Sequence, residues 1–211
     1  MNEEQTVLEF FSLEENLSLA LIAAEHLDGI RLESNNRFWN KLNEHLSVWL
    51  TEQTLPWYTE LTEDRNSEGT LVGLHLEPST QQRVFLRPFM EQQLMGNHYR
   101  IYYGLMWNST PEPEQLKLSA VESLRNQLKA FGFKDSDSFL AWQWSAWYPR
   151  RKDFLMRFST KRDELMKEAL QPWQALLQEF GERLLMTNVA LNEAPRSASI
   201  SLDKLHSRVK V

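Results

Sequence analysis

The sequence predicts a single α+β domain: an N-terminal helical hairpin, an antiparallel sheet of three or four strands, and C-terminal helices packed on it. Three observations predict this. Apolar residues recur at three-to-four spacing near both ends of the chain, the mark of amphipathic helices. Between those regions, short aromatic or β-branched runs alternate with turn residues. The composition, 42% apolar and 25% charged over 211 residues, is globular and long enough for one well-buried core. The domain is read as residues 1–192, and residues 193–211, where periodicity is lost, as a C-terminal tail.

The first helix is expected in "SLEENLSLALIAAEHLDGI", where Ser12 and Glu15 fit a capping box. Leu13, Leu17, Leu21 and Leu27 form its stripe, and Gly29 falls near its end, although Ile30 and Leu32 could prolong it. "NNRFWNKLNEHLSVWL" repeats the pattern with Phe38, Trp39, Leu42, Leu46, Trp49 and Leu50, so the two helices read as an antiparallel pair. Pro56 stops the second helix. "WYTELT", "TLVGLHLEP", "RVFLRPF" and "HYRIYYGLMW" then read as strands, with Phe89 to Leu94 open to a helical turn instead. A helix with Leu116, Val121, Leu124, Leu128 and Phe131 follows, and Gly132 suits its end. The last helical run starts near Arg151 and reaches about Leu191, with a break or kink expected at Pro172.

No apolar run approaches the length of a membrane span, and the acidic "MNEEQTVLEFF" does not read as an export signal. The chain has no cysteine, which excludes disulfides and thiolate chemistry. A cytoplasmic location is expected. The net charge of −6 is uneven: residues 1–70 hold fourteen acids and four bases, residues 150–168 seven bases and four acids. An acidic chain is a poor general binder of DNA, whose phosphates dominate affinity. Only the basic segment keeps that option open.

The five histidines, His26, His45, His75, His98 and His206, have no zinc spacing, and no P-loop, GxSxG or GxGxxG is present. No catalytic residue, metal ligand or cofactor is assigned. An enzyme would have to gather His75, His98 and neighbouring acids from separate elements.

The succession "YRIYYGLMWN", a helix ending in "LKAFGF", "SDSFLAWQWSAW" and a helix with "WQALLQEFGERL" resembles the C-terminal region of bacterial PD-(D/E)XK nuclease-superfamily proteins. The resemblance covers roughly residues 35–190 and rests on pattern. It departs from the family where the chemistry lies. An Asp and a Glu-x-Lys pair on adjacent strands would hold Mg²⁺, whereas "PEPEQLK" places Lys117 three residues after Glu114, between a loop and a helix. The resemblance therefore implies a non-catalytic portion, in bacteria, as an accessory of a defence or mobile-element system.

"FLAWQWSAWYPRRKDF" is the one segment with binding character. Its rings fit neither a strict strand nor a strict helix period, so they read either as core or as a platform beside the basic turn. Exposed Trp, Tyr and Arg anchor interfaces, which assigns partner binding to Trp147, Tyr148, Arg150, Arg151, Lys152 and Arg157. The expected function is a non-enzymatic interaction or regulatory module with a protein partner. The alternative is a nucleic-acid-binding module using residues 142–162.

Overall fold

The computed structural model describes residues 2–62, 72–80, 82–95 and 98–194. Helices α1 (Glu3–Ser12), α2 (Glu14–Glu25) and α3 (Leu27–Glu52) lead into strands β1 (Trp57–Leu61), β2 (Val72–Pro78), β3 (Leu86–Met95) and β4 (His98–Trp107). The short α4 (Pro113–Leu116) and α5 (Ser119–Ala130) precede β5 (Phe139–Trp144), and α6 (Lys152–Thr160) and α7 (Arg162–Glu193) close the chain. The fold is α+β, with five strands rather than three or four. The predicted tail lies outside the described residues from 195 onward.

The sheet is an antiparallel meander in the order β1-β2-β3-β4-β5. β3 and β4 pair along their whole length, from Leu86 opposite Trp107 to Met95 opposite His98, so Phe89 to Leu94 is strand and not a helical turn. The register decides this. Alternate residues Met90 and Gln92 are buried on the helix side, and Phe89 and Glu91 point the other way.

One face of the sheet, with Leu74, Leu76, Met90, Ile101 and Leu105, joins the helices in the main core. From α3 that core takes Phe38, Trp39, Leu42, Leu46 and Leu50. Phe38 meets Phe154 and Phe158 of α6 edge-on at 5.0 and 6.0 Å. Trp39 donates its indole N–H to Gln92 at 3.0 Å, which satisfies a buried polar group on each side. At the other end of the sheet, Asn188 of α7 accepts from the Leu86 N–H and donates to the Leu86 carbonyl. The opposite face carries a second, aromatic cluster. Phe89, Tyr102 and Phe139 pack within 4.8–5.8 Å of one another, and Trp144 stands 5.4 Å from Tyr102.

Four expectations need correction. The N-terminal pair does not pack through Leu17 and Leu21: α2 has no buried residue. Its apolar side chains go all the way round, leaving no single stripe to seat, while the α3 stripe is already filled by the sheet, α6 and α7. Gly29 does not end a helix but lies within α3, with open space around it. A glycine costs a helix only about 1 kcal/mol, too little to stop one. Pro172 lies inside an unbroken α7. The buried series Leu165, Met166, Ala169, Leu170, Trp173, Leu176 and Leu177 continues on both sides of it. That burial outweighs the roughly 3 kcal/mol a helical proline costs. The helical run expected from Arg151 is in fact two helices, divided at Lys161.

Candidate interaction site

β5 settles the ambiguous rings: Trp144 pairs with Tyr102 and Trp142 with Gly104, so both indoles lie on the aromatic face of the sheet, half-buried. Gly104 is needed there, because any Cβ would strike the Ala141 carbonyl. After Trp144 the chain turns across the start of β4. Ser145 N–H donates to the Ile101 carbonyl at 2.9 Å, and Ile101 N–H donates to the Trp147 carbonyl at 3.1 Å. The Ser145 hydroxyl also donates to the Ile101 carbonyl, at 2.8 Å, and accepts from the Trp147 N–H.

Arg100 completes this anchorage. Its Nε donates to the Ser145 carbonyl at 3.0 Å, and its guanidinium lies 5.1 Å from the Trp144 ring centre and 5.5 Å from that of Tyr148. Beyond the buried Pro149, Arg150 lies over Tyr99 at 4.1 Å and Arg151 over Tyr148 at 4.0 Å. These stacks hold cations flat against rings. Asp28, Arg31, His98, Tyr99, Arg150, Arg151 and Lys152 together line a cavity of about 330 Å³. Arg31 bonds Asp28 at 3.3 Å. Arg150 and Arg151 meet no carboxylate among the described residues, and Arg150 Nε is buried without a hydrogen-bond partner.

Of the residues singled out in the sequence, Tyr148, Arg150, Arg151 and Lys152 come together here. Trp147 packs half-buried against the main core. Arg157 lies farther along α6, where it bonds Glu168 of α7 at 2.7 Å. Sequence reasoning missed Asp28 and Arg31 on α3 and Tyr99 and Arg100 on β4, and named His98 only as a partner of His75 in an enzyme site. The available signal was the Tyr-Arg pair opening "HYRIYY", but only long-range pairing shows what it faces.

α1 borders the pocket, since Asn2, Glu4, Val7 and Leu8 share a shallow hollow with Lys152. These helices are apolar and exposed: Leu8 at 62%, Phe10 at 53%, Leu19 at 61% and Leu21 at 58%. Residues 2–28 also contain seven acids and neither Lys nor Arg.

His75 and His98 do not converge. His75 lies on β2, with Nε2 3.2 Å from Glu60 and 3.5 Å from Glu77. The ligand atoms of these three residues fall within 4.8 Å of one another, a spacing suited to a divalent cation. Arg87, however, already bonds Glu77, so a cation would have to displace a guanidinium. Burial, with Arg87 beside it, holds His75 below its ordinary pKa and keeps the ring neutral. The group acts as a cross-strand charge network. Nearby, Tyr102 donates to Glu91 at 2.6 Å, and burial pushes the Glu91 carboxyl up.

No family model matches the chain, and neither does any curated protein or solved structure.

Proposed function

We propose that the protein is a non-catalytic interaction module that docks a protein partner on α1 and α2. The observation that carries this reading is that α2, apolar on every side, buries none of its residues. A helix apolar all round normally belongs inside a core. Eleven large apolar side chains from Val7 to Ile30 stand exposed. Together they offer on the order of 1,000 Å² of apolar surface, against about 800 Å² per partner in a standard interface.

The acids choose the occupant. With seven carboxylates and no Lys or Arg in residues 2–28, the surface favours an apolar helix bordered by Lys and Arg and disfavours a second acidic copy. An anionic lipid surface is repelled for the same reason. No helix among the described residues is long and apolar enough to cross a membrane. The accessory role in a defence or mobile-element system belongs to the same proposal, supported by the sequence pattern of the second half. The nucleic-acid alternative draws on the stacked arginines but is the weaker reading. Trp142 and Trp144 meet each other and Tyr102 edge-on, and Arg157 is tied to Glu168.

The test uses a labelled amphipathic Leu/Lys helical peptide, a Leu/Glu peptide as control, and the double variant Leu17→Glu, Leu21→Glu. The Leu/Lys peptide is expected to bind saturably and more weakly as salt rises, and the variant to lose binding while keeping its unfolding midpoint. Equal binding of both peptides, or undiminished binding by the variant, overturns the reading. So does a sedimentation dimer that the double substitution dissociates, because the occupant is then a second copy.

A further inference from the structure

We propose that the cavity between α3, the start of β4 and the turn from Tyr148 to Lys152 binds a phosphate monoester. This site stands apart from the docking reading above, because it uses different residues and a different chemistry.

The charge balance comes first. Arg31, Arg150 and Arg151 converge on one cavity whose lining holds a single acid, Asp28, in a protein of net charge −6. Asp28 is taken by Arg31. Arg150 and Arg151 are left with rings as their only partners of note. A guanidinium that uses a face on a ring still has its in-plane N–H edge for other partners. That edge is the fork that matches phosphate oxygens in a bidentate pair. Arg150 Nε is buried with no hydrogen-bond partner among the described residues, so an acceptor that reaches it satisfies a group left unpaired. α6 begins at this point with no side-chain cap, which adds the field of its N-terminus.

The ligand class follows from charge and size. A carboxylate brings one charge, whereas a phosphate monoester brings close to two and three acceptor oxygens. A cavity of about 330 Å³ is larger than a phosphate group alone. The space beside Tyr99 and His98 is left for the organic part. A phosphodiester carries a single charge and has to leave the cavity at both ends.

The probes are phenyl phosphate, inorganic phosphate and phenylacetate, titrated calorimetrically. Phenyl phosphate is expected to saturate with a dissociation constant of about 1 mM or below, and to bind roughly tenfold tighter than either other probe. The double variant Arg150→Gln, Arg151→Gln is expected to lose at least about tenfold in affinity while still unfolding in one cooperative transition. Arg157→Gln, outside the cavity, is expected to bind as the parent does. A phosphotyrosine peptide distinguishes the source. Tighter binding than phenyl phosphate points to a phosphorylated side chain of a protein, and equal binding to a small metabolite. Absence of saturable binding overturns the proposal. So does equal affinity for phenylacetate or inorganic phosphate, or affinity unchanged in the double variant. The Leu/Lys peptide is unaffected by these substitutions, so failure here is distinct from failure of the docking reading.

Discussion

Replacing Arg100 with Met tests how the basic turn is held in place. Arg100 is the one side chain that grips the turn from both directions: its Nε bonds the Ser145 carbonyl, and its guanidinium lies between Trp144 and Tyr148. Met keeps the length and most of the apolar stem, so packing changes little. What disappears is a hydrogen bond from a charged donor, worth about 1.5–3 kcal/mol when buried. Two cation–π contacts, each about 0.5–1 kcal/mol at exposed sites, go with it. Arg100 is half-buried, so the lower ends apply and the expected loss is about 2.5 kcal/mol. Guanidinium-chloride unfolding should show a lower midpoint with an unchanged slope. Phenyl phosphate affinity should fall with it, since Arg150 and Arg151 are displayed by the same turn. Arg100→Lys restores the charge but not the planar stack, and should recover only part of both losses. A midpoint within about 0.3 kcal/mol of the parent, well under the hydrogen-bond range above, would refute the reasoning. It would mean that the backbone bonds to Ile101 hold the turn unaided.

Two further outcomes are expected. Leu42→Ala should cost roughly 2–5 kcal/mol, because Leu42 is fully buried. Leu21→Ala should change stability by less than about 0.5 kcal/mol, as surface substitutions do; paired denaturant melts check the contrast. Glu91→Gln should remove a pH dependence. Burial raises the folded carboxyl above its ordinary value of 4.5, so the native state holds a proton that the unfolded state has released. Native stability therefore falls as pH rises from the unfolded value through the folded one. Gln keeps an acceptor for the Tyr102 hydroxyl without the buried charge. The variant should gain on the parent between pH 4 and pH 7, as read from melts across that range.

The elements legible in the sequence were those whose burial is one-sided. The stripe Phe38, Trp39, Leu42, Leu46 and Leu50 of α3 repeats at helical spacing because one face meets the core, and it was read correctly. β3 was ambiguous because both its faces are covered, one by the core and one by aromatic rings, so its hydrophobic alternation is blurred. Trp142 and Trp144 fitted no period with certainty because their places depend on Tyr102 and Gly104, some forty residues away. The basic run at Arg150 was visible, but its partners were not. Tyr99 and Arg31 arrive from β4 and α3, and no local pattern announces that convergence. Proline and glycine misled for the opposite reason. Their local preferences at Pro172 and Gly29 are real but small beside the burial of a long helix or the continuity of one already formed.

The same logic gives the error at α2 its meaning. Residues 17–24, "LSLALIAA", carry no charge, and a sequence of that kind is consistent with only one environment, a dry one. Among the described residues it does not find that environment, because α3 has turned its own stripe to the sheet, α6 and α7. Natural sequences agree with their folds at most positions, and the exceptions gather where the molecule meets something else. Here the exception comes with its own safeguard. Glu14, Glu15, Glu25 and Asp28 flank the apolar run, so two copies brought face to face set carboxylate against carboxylate, while a basic helix finds both its apolar stripe and its rim complemented. On the docking proposal, the apolar residues supply affinity without discrimination, and the acids supply discrimination at little cost to the fold. A Glu14→Lys, Glu15→Lys, Glu25→Lys variant should keep the melting behaviour of the parent and exchange its preference from the Leu/Lys to the Leu/Glu peptide. If the preference does not move, the acids are a solvated face and the choice of partner lies elsewhere.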